Sequence, residues 1–114
     1  MTQARRALGA AGEERAAAWY EGHGYTVVDR NWRCREGELD LIVRRARELV
    51  FVEVKTRRTD RFGTPAEAVT RDKQRRIRAV ARRYLAATDA RAGSLRFDVV
   101  SILGDELEVI QAAF

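Results

Sequence analysis

The chain is poor in the residues that cross-link a polypeptide, stiffen it or anchor it in a membrane. Its single cysteine, Cys34, excludes a disulfide framework and favours a reducing, intracellular setting. One proline leaves no proline-rich linker, and one histidine gives little support to a histidine-based metal or nucleophile site. No apolar run reaches membrane-spanning length, and the N-terminus lacks the apolar segment of a secretory signal. We therefore expect a cytoplasmic protein that has no membrane partner.

The length of the chain bounds its organisation. A chain of 114 residues is too short for two independent cores but long enough to bury one. Hydrophobic residues make up 46% of it and charged residues 34%, a balance typical of a folded soluble protein. We predict that residues 1–114 form a single domain, which excludes a modular multi-domain enzyme.

Lysine is scarce, although the chain is basic. Lys55 and Lys73 are the two lysines, and the other 20 of the 22 basic residues are arginine. The net charge of +5 is unevenly spread: residues 1–54 are neutral, residues 55–83 carry +8, and residues 84–114 carry −3. A positive field confined to one stretch favours an acidic polymer as the partner.

Hydrophobic patterning predicts an α/β fold with the order α-β-β-β-α-β-β. A run of strong helix formers ends at Gly22 and Gly24, and two apolar runs joined by a charged turn indicate a β-hairpin. The second helix is predicted to start at Thr64-Pro65-Ala66-Glu67, which has the form of a capping box, and to bend near Thr70. The predicted helices and strands are a helix over 4–21, strands over 25–28, 39–43 and 49–54, an amphipathic helix through 77–85, and strands over 95–103 and 107–110.

Three charged residues in the hairpin form the candidate site. Strand side chains alternate, so Glu53 and Lys55 share one face of the second strand with Phe51. If the hairpin pairs residues whose numbers sum to 91 or 93, Asp40 joins them on that face, whereas a sum of 92 turns Asp40 away. Two neighbouring carboxylates repel each other unless a cation lies between them, and oxygen ligands suit Mg²⁺ or Mn²⁺.

Lys55 completes this chemistry. Its compact ammonium can orient an attacking water and stabilise charge on a phosphate, which the broad guanidinium of arginine does less well. This explains a lysine in a chain that otherwise uses arginine. The alternative is a solvated sheet face on which Glu53 and Lys55 form an ordinary surface pair. Glu38 shares the parity of Asp40; it is either a further acid behind the site or a solvent-facing charge, and the second interpretation is favoured.

The same residues carry a family resemblance. The segments GEERAAAWYEGHGY, Asn31-x-Arg33, GELDLI, FVEVKTR, the helix that contains Lys73, FDVVSI and the closing AAF cover almost the whole chain. They resemble the YraN family of small bacterial proteins, predicted members of the PD-(D/E)xK nuclease superfamily. The layout is also similar to that of archaeal Holliday junction resolvases.

The resemblance implies a restriction-endonuclease-like fold, in which helices flank a mixed β-sheet. It also implies that Asp40 and Glu53 are metal ligands, that Lys55 is the catalytic lysine, and that Glu13 of the first helix is a further acid facing the site. The pattern of residues alone does not separate Glu13 from Glu14; the resemblance favours Glu13. The superfamily's proline before the first aspartate is absent, because Leu39 stands there.

The second helix is predicted to contact nucleic acid. Residues 71–83 hold seven basic residues and one acid, more than the solvated face of an amphipathic helix requires. Contacts to backbone phosphates explain this excess and carry no sequence information. The predicted contact residues are Arg57, Arg58, Arg71, Lys73, Arg75, Arg78 and Arg82.

These observations predict a metal-dependent phosphodiesterase that acts on DNA and is directed by the backbone or the structure of its substrate. The alternative is a nucleic-acid-binding module of the same fold that does not catalyse; a basic protein-interaction domain is a third interpretation. Homodimerisation stays open, because nucleases that cut both strands often pair and the C-terminal strands offer an edge.

Overall fold

The computed structural model describes residues 3–57 and 69–114, and their side chains from residue 8 onward. It has two helices, one on each side of a five-stranded sheet. The helices are α1 (Gln3–Gly22) and α2 (Arg71–Ala87), and the strands are β1 (Thr26–Cys34), β2 (Gly37–Arg45), β3 (Glu48–Arg57), β4 (Ser94–Leu103) and β5 (Glu106–Ile110). The predicted α/β class and the order α-β-β-β-α-β-β are confirmed.

The sheet is mixed, with spatial order β1-β2-β3-β4-β5. Neighbouring strands are antiparallel except β3 and β4, which pair in parallel over their whole lengths. A parallel pair needs a crossover connection, and α2 lies in that connection. The architecture is that expected of a restriction-endonuclease-like fold.

Each face of the sheet carries its own buried cluster because the strand side chains alternate. The cluster under α2 includes Phe51, Phe97 and Tyr84, and the cluster under α1 includes Tyr20 and Val52. Ile77, Val80, Ala81 and Tyr84 form the buried stripe of α2, at the spacing that the sequence predicts.

Helix α1 approaches β3 closely at Gly12. A Cβ atom on this residue would lie 2.0 Å from Thr56 Oγ1, so only glycine permits the present spacing. The close approach matters for the site, because the next residue of α1 is Glu13.

One predicted boundary differs from the structure. The first strand runs to Cys34 rather than ending at Val28, since it pairs with β2 from Thr26 to Cys34, with a shift of register between Val27 and Asp29. The capping sequence Thr64–Glu67 lies outside the described residues. At Thr70 the backbone is extended, with φ −67° and ψ 166°, and its side chain accepts a hydrogen bond from Lys73 N, so α2 has its own N-cap there. No helix within the described residues is long and apolar enough to cross a membrane.

Candidate active site

The register of the hairpin places Asp40 opposite Glu53. Strands β2 and β3 pair Leu41 with Val52 and Ile42 with Phe51, so paired residue numbers sum to 93, one of the two values that bring the carboxyl groups to the same side. The ladder ends at Leu41 and Val52. Beyond it, Asp40 Oδ2 accepts a hydrogen bond of 2.8 Å from Val54 N, which anchors the carboxyl group between the two strands.

Regular alternation breaks in both β1 and β2 at this level. Leu39 packs in the cluster under α2 and Leu41 in the cluster under α1, although two residues of a regular strand that far apart share a face. In β1, Asn31 has φ 50°, a left-handed conformation that asparagine tolerates better than most residues. The register aligns Asn31 with Asp40, since Arg30 pairs with Leu41 and Trp32 with Leu39. The side chains of both strands therefore switch from one face of the sheet to the other at the same level, and residues from both faces meet there.

Asn31 connects two further carboxyl groups. Oriented to satisfy its neighbours, its side-chain nitrogen donates to Glu13 Oε2 at 2.9 Å, to Glu13 Oε1 at 3.1 Å and to Glu38 Oε1 at 2.9 Å. Burial and the charges of Glu38 and Glu53 raise the pKa of Glu13. Glu14, by contrast, pairs with Arg30 and is 71% exposed. Of the two adjacent glutamates, the fold thus brings Glu13 to the site.

Asp40 is the most perturbed acid of the group. Burial, and next the negative charge of Glu53, raise the pKa of Asp40 to about 8, although the hydrogen bond from Val54 N favours the ionised form. Glu13 and Glu38 act in the same direction as Glu53. Four carboxyl groups therefore share one electrostatic environment, which disfavours the ionised form of Asp40.

Two lysines face these acids. Lys73 Nζ lies 2.7 Å from Glu53 Oε1, and the two side chains are 28% and 11% exposed. Burial disfavours the charge on Lys73, but the hydrogen bond and the charge of Glu53 outweigh it and raise the pKa of Lys73. Lys55 is half-buried beside Lys73; burial and this neighbouring ammonium lower the pKa of Lys55. Lys73 thus pairs with Glu53, and Lys55 lies beside Lys73 within range of the charges of Glu53 and Asp40.

The acids open into a pocket of about 220 Å³ between the sheet and α2. Glu38, Asp40 and Glu53 line it from the sheet, and Lys73 and Arg76 line it from α2. Glu38 is therefore half-buried at the site, also paired with Arg33 at 2.9 Å, and the favoured interpretation of a solvent-facing charge was wrong.

The predicted phosphate-contact residues lie in different settings. Arg71, Arg75, Arg78 and Arg82 are exposed on α2, Arg57 is half-buried at the end of β3, and Arg58 lies outside the described residues. Arg75 pairs with Asp72. The Arg78 guanidinium lies 4.7 Å from the centre of the Phe97 ring and 5.4 Å from that of Phe114. The Lys73 side chain does not lie on this exposed face, because it lines the pocket.

Three features of the site were not recognised from the sequence. They are the roles of Asn31 and Arg76, and the position of the Lys73 side chain inside the pocket. Helical spacing gives a signal for Lys73, which is four, seven and eleven residues before Ile77, Val80 and Tyr84 and so shares their buried stripe. Asn31 gives no such signal, because its role depends on a local reversal of β1.

Asp40 and Glu53 are the side chains that could hold a metal ion here. Within residues 3–57 and 69–114, no three His, Cys, Asp or Glu side chains are grouped so that they would hold a metal. Mg²⁺ is commonly held by one or two carboxylates, with water and substrate phosphates completing its shell. The buried pair Asp40 and Glu53 fits that requirement, since its excess negative charge is what a divalent cation would balance.

The raised pKa of Asp40 predicts a pH-dependent stability in the absence of metal. Between pH 4 and 8 the folded protein keeps a proton on Asp40 that the unfolded chain has lost, so stability falls as pH rises. One pKa unit corresponds to about 1.4 kcal/mol, and we expect a loss of a few kcal/mol between pH 5 and pH 9. Urea unfolding in EDTA measures it. The Asp40→Asn variant should have a flatter profile; equal slopes for the two proteins would contradict the assignment.

The fold and the site together define a class of protein: a small α/β domain whose mixed sheet carries an acid pair and two lysines where its central strands separate. The family model "Uncharacterised protein family UPF0102" matches residues 12–102, and the chain belongs to this family, as the YraN resemblance predicted. It is 54% identical over 101 residues to a UPF0102 protein of Beutenbergia cavernae, covering 89% of this chain and 86% of the relative. It is 58% identical over 99 residues to one of Nocardia farcinica, with 87% and 78% coverage.

Proposed function

We propose that the protein is a metal-dependent nuclease that hydrolyses backbone phosphodiesters of DNA. The observation that carries the proposal is the meeting of Asp40, Glu53 and Lys55 on adjacent strands, at the level where the β2–β3 ladder ends. Glu13 reaches the same group from α1 through Asn31. Carboxylates beside a lysine supply metal ligands and a point charge for a scissile phosphate, and few other reactions need this combination.

Each residue has a definite part in this proposal. Asp40 and Glu53 would hold Mg²⁺ or Mn²⁺, which when bound lowers the pKa of water and offsets charge on the phosphate. Lys55 orients the attacking water and faces the developing negative charge, and its lowered pKa makes proton exchange easier than in a solvated lysine. Glu13 adds negative charge behind the pair, while Asn31 keeps its carboxylate from turning away.

The surface beside the pocket supports a polyanionic substrate. Lys73 and Arg76 line the pocket from α2, and Arg71, Arg75, Arg78 and Arg82 lie exposed on the same helix. A phosphodiester that enters the pocket would therefore be flanked by positive charge. Since contacts to backbone phosphates carry no sequence information, we infer binding directed by the backbone or the structure of the DNA.

The direct test is cleavage of branched, nicked and single-stranded DNA, with an RNA strand for comparison, in Mg²⁺ or Mn²⁺. We expect cleavage of at least one DNA substrate, loss of it in EDTA, and its loss in Glu53→Gln. The Glu14→Gln variant is the matched control, because Glu14 is the exposed neighbour of Glu13 and pairs with Arg30 outside the site. Cleavage that survives in Glu53→Gln would show a contaminant or a different site.

One observation favours a second function. Glu53 is already paired with Lys73, so its carboxylate is neutralised by the chain itself rather than by a metal. A nucleic-acid-binding module that does not catalyse would have this arrangement. It predicts DNA binding that is insensitive to EDTA and weakened by salt, without cleavage of any substrate.

A further inference from the structure

Lys73 occupies an unusual place for a lysine. It lies in the first turn of α2, three residues after the N-cap Thr70, where the helix dipole disfavours a cation. Arg71 and Arg75, its neighbours on α2, are exposed, whereas the Lys73 side chain is directed into the pocket and is 28% exposed. Local helix energetics do not explain this position; the charges across the pocket do.

Glu53 is the acid that pairs directly with Lys73. Its ammonium lies 2.7 Å from Glu53 Oε1, and Glu53 is nearly buried. Asp40 is also close enough for its charge to act on Lys73. A lysine in this place does for the acid pair what a bound cation would do: it neutralises Glu53 and reduces the repulsion between Glu53 and Asp40.

A divalent cation on the acid pair would bind the same carboxylate that Lys73 holds. The two positive charges would then lie a few ångströms apart and repel each other, so binding of one weakens binding of the other. The long, flexible stem of lysine lets the ammonium leave without movement of the helix. From the pocket wall, it would then face any phosphate that enters beside Arg76.

We propose that Lys73 is an internal counter-cation: it holds Glu53 in the metal-free protein, competes with the divalent cation for this carboxylate, and is displaced when the cation binds. This inference rests on the proposed function, because it takes Asp40 and Glu53 as the metal ligands. Lys73 is then a positioning residue that sets metal affinity, whereas its exposed neighbours on α2 would contact DNA phosphates.

Calorimetric titration with Mn²⁺ in the absence of DNA tests the competition. Lys73→Met should bind Mn²⁺ about tenfold more tightly than wild type, within the range usual for coupled sites, because the competitor is gone. Lys73→Arg keeps the charge and should bind no more tightly than wild type. Arg91→Met is the matched control: it removes one positive charge from an exposed position outside the site and should leave the affinity unchanged. Equal affinities of Lys73→Met and Arg91→Met would overturn the proposal.

A second measurement observes the Lys73 side chain in the wild-type protein itself. The chain has two lysines, so selective ¹³C labelling of lysine gives two side-chain signals, which Lys73→Arg assigns. Mg²⁺ should shift the Lys73 Cε signal as the ammonium leaves Glu53. Saturation with Mg²⁺ that leaves this signal in place would overturn the proposal.

The outcomes separate this inference from the proposed nuclease activity. Metal-dependent cleavage combined with an unchanged affinity of Lys73→Met refutes the competition and leaves the activity intact. Tighter binding by Lys73→Met without cleavage of any substrate supports the competition and refutes the activity. Absence of divalent-cation binding in every variant refutes the competition and the metal dependence together.

Discussion

A Lys55→Met variant is expected to cleave DNA at least about 100-fold more slowly than the wild-type protein, within the range typical for the loss of a group that stabilises transition-state charge or transfers a proton. Methionine keeps the length of the side chain and its packing against the sheet but removes the ammonium. Because α2 carries the exposed arginines, affinity for DNA should change little. The measurement is the single-turnover cleavage rate at saturating protein.

The control for this prediction is Arg91→Met, which removes one positive charge from an exposed residue outside the basic stretch. It should cleave at the wild-type rate. A Lys55→Met protein that retains the wild-type rate, or that loses rate only in proportion to weaker DNA binding, would remove Lys55 from the chemistry. The result would then favour Lys73, the second lysine at Glu53, as the group that faces the phosphate.

The hairpin was the most predictable part of the site, because its register depends on residues that are close in the sequence. Apolar residues at alternate positions and a charged turn restricted the register to a few values, and the sum of 93 is one of the two that bring Asp40 to Glu53. The favoured interpretation of Glu38 as a solvent-facing charge was wrong. Its parity with Asp40 allowed a position at the site, but the contact that holds it comes from Asn31 of β1, whose left-handed backbone strand alternation does not predict.

The parts of the structure that were not predicted depend on contacts between residues far apart in the sequence. The second half of β1 is polar, and it forms a strand because β2 offers it a hydrogen-bonding edge, not because of its own propensity. Lys73 was placed on the phosphate-binding face because its neighbours are basic, although its helical position assigns it to the buried stripe. For Lys73, the position of the residue around the helix was therefore more informative than the basic composition of its segment.

The charges of the four acids also affect the stability of the site. Glu13, Glu38, Asp40 and Glu53 come from three separate elements, and their mutual repulsion opposes folding unless protons, lysines or a cation balance it. Lys73 balances part of this charge at Glu53, and Asn31 donates hydrogen bonds to Glu13 and Glu38 without bringing a positive charge. Packing elsewhere in the molecule must therefore hold α1 and the sheet together against this repulsion.

Asp98 is the residue on which that packing most depends, and Asp98→Ala is expected to lower the free energy of unfolding by about 3–5 kcal/mol. Its carboxylate is fully buried on β4 and accepts hydrogen bonds from Tyr20 OH at 2.6 Å, from Arg96 Nε at 2.8 Å and from Ala112 N at 3.0 Å. These partners tie α1 and the C-terminal segment to the sheet. Alanine would leave the Tyr20 hydroxyl and much of the Arg96 charge buried without their acceptor.

Urea unfolding at neutral pH measures this loss, with Glu14→Ala as the control. Glu14 forms a single ion pair with Arg30 at 2.8 Å, but 71% of its side chain is exposed, so the cost of its removal should stay below about 1 kcal/mol. Tyr20→Phe removes one hydrogen bond to Asp98 and keeps the ring, and it should fall between the two. If Asp98→Ala costs no more than Glu14→Ala, the buried network does not hold α1 on the sheet, and the position of Glu13 at the site would have to depend on Gly12 and Asn31 instead.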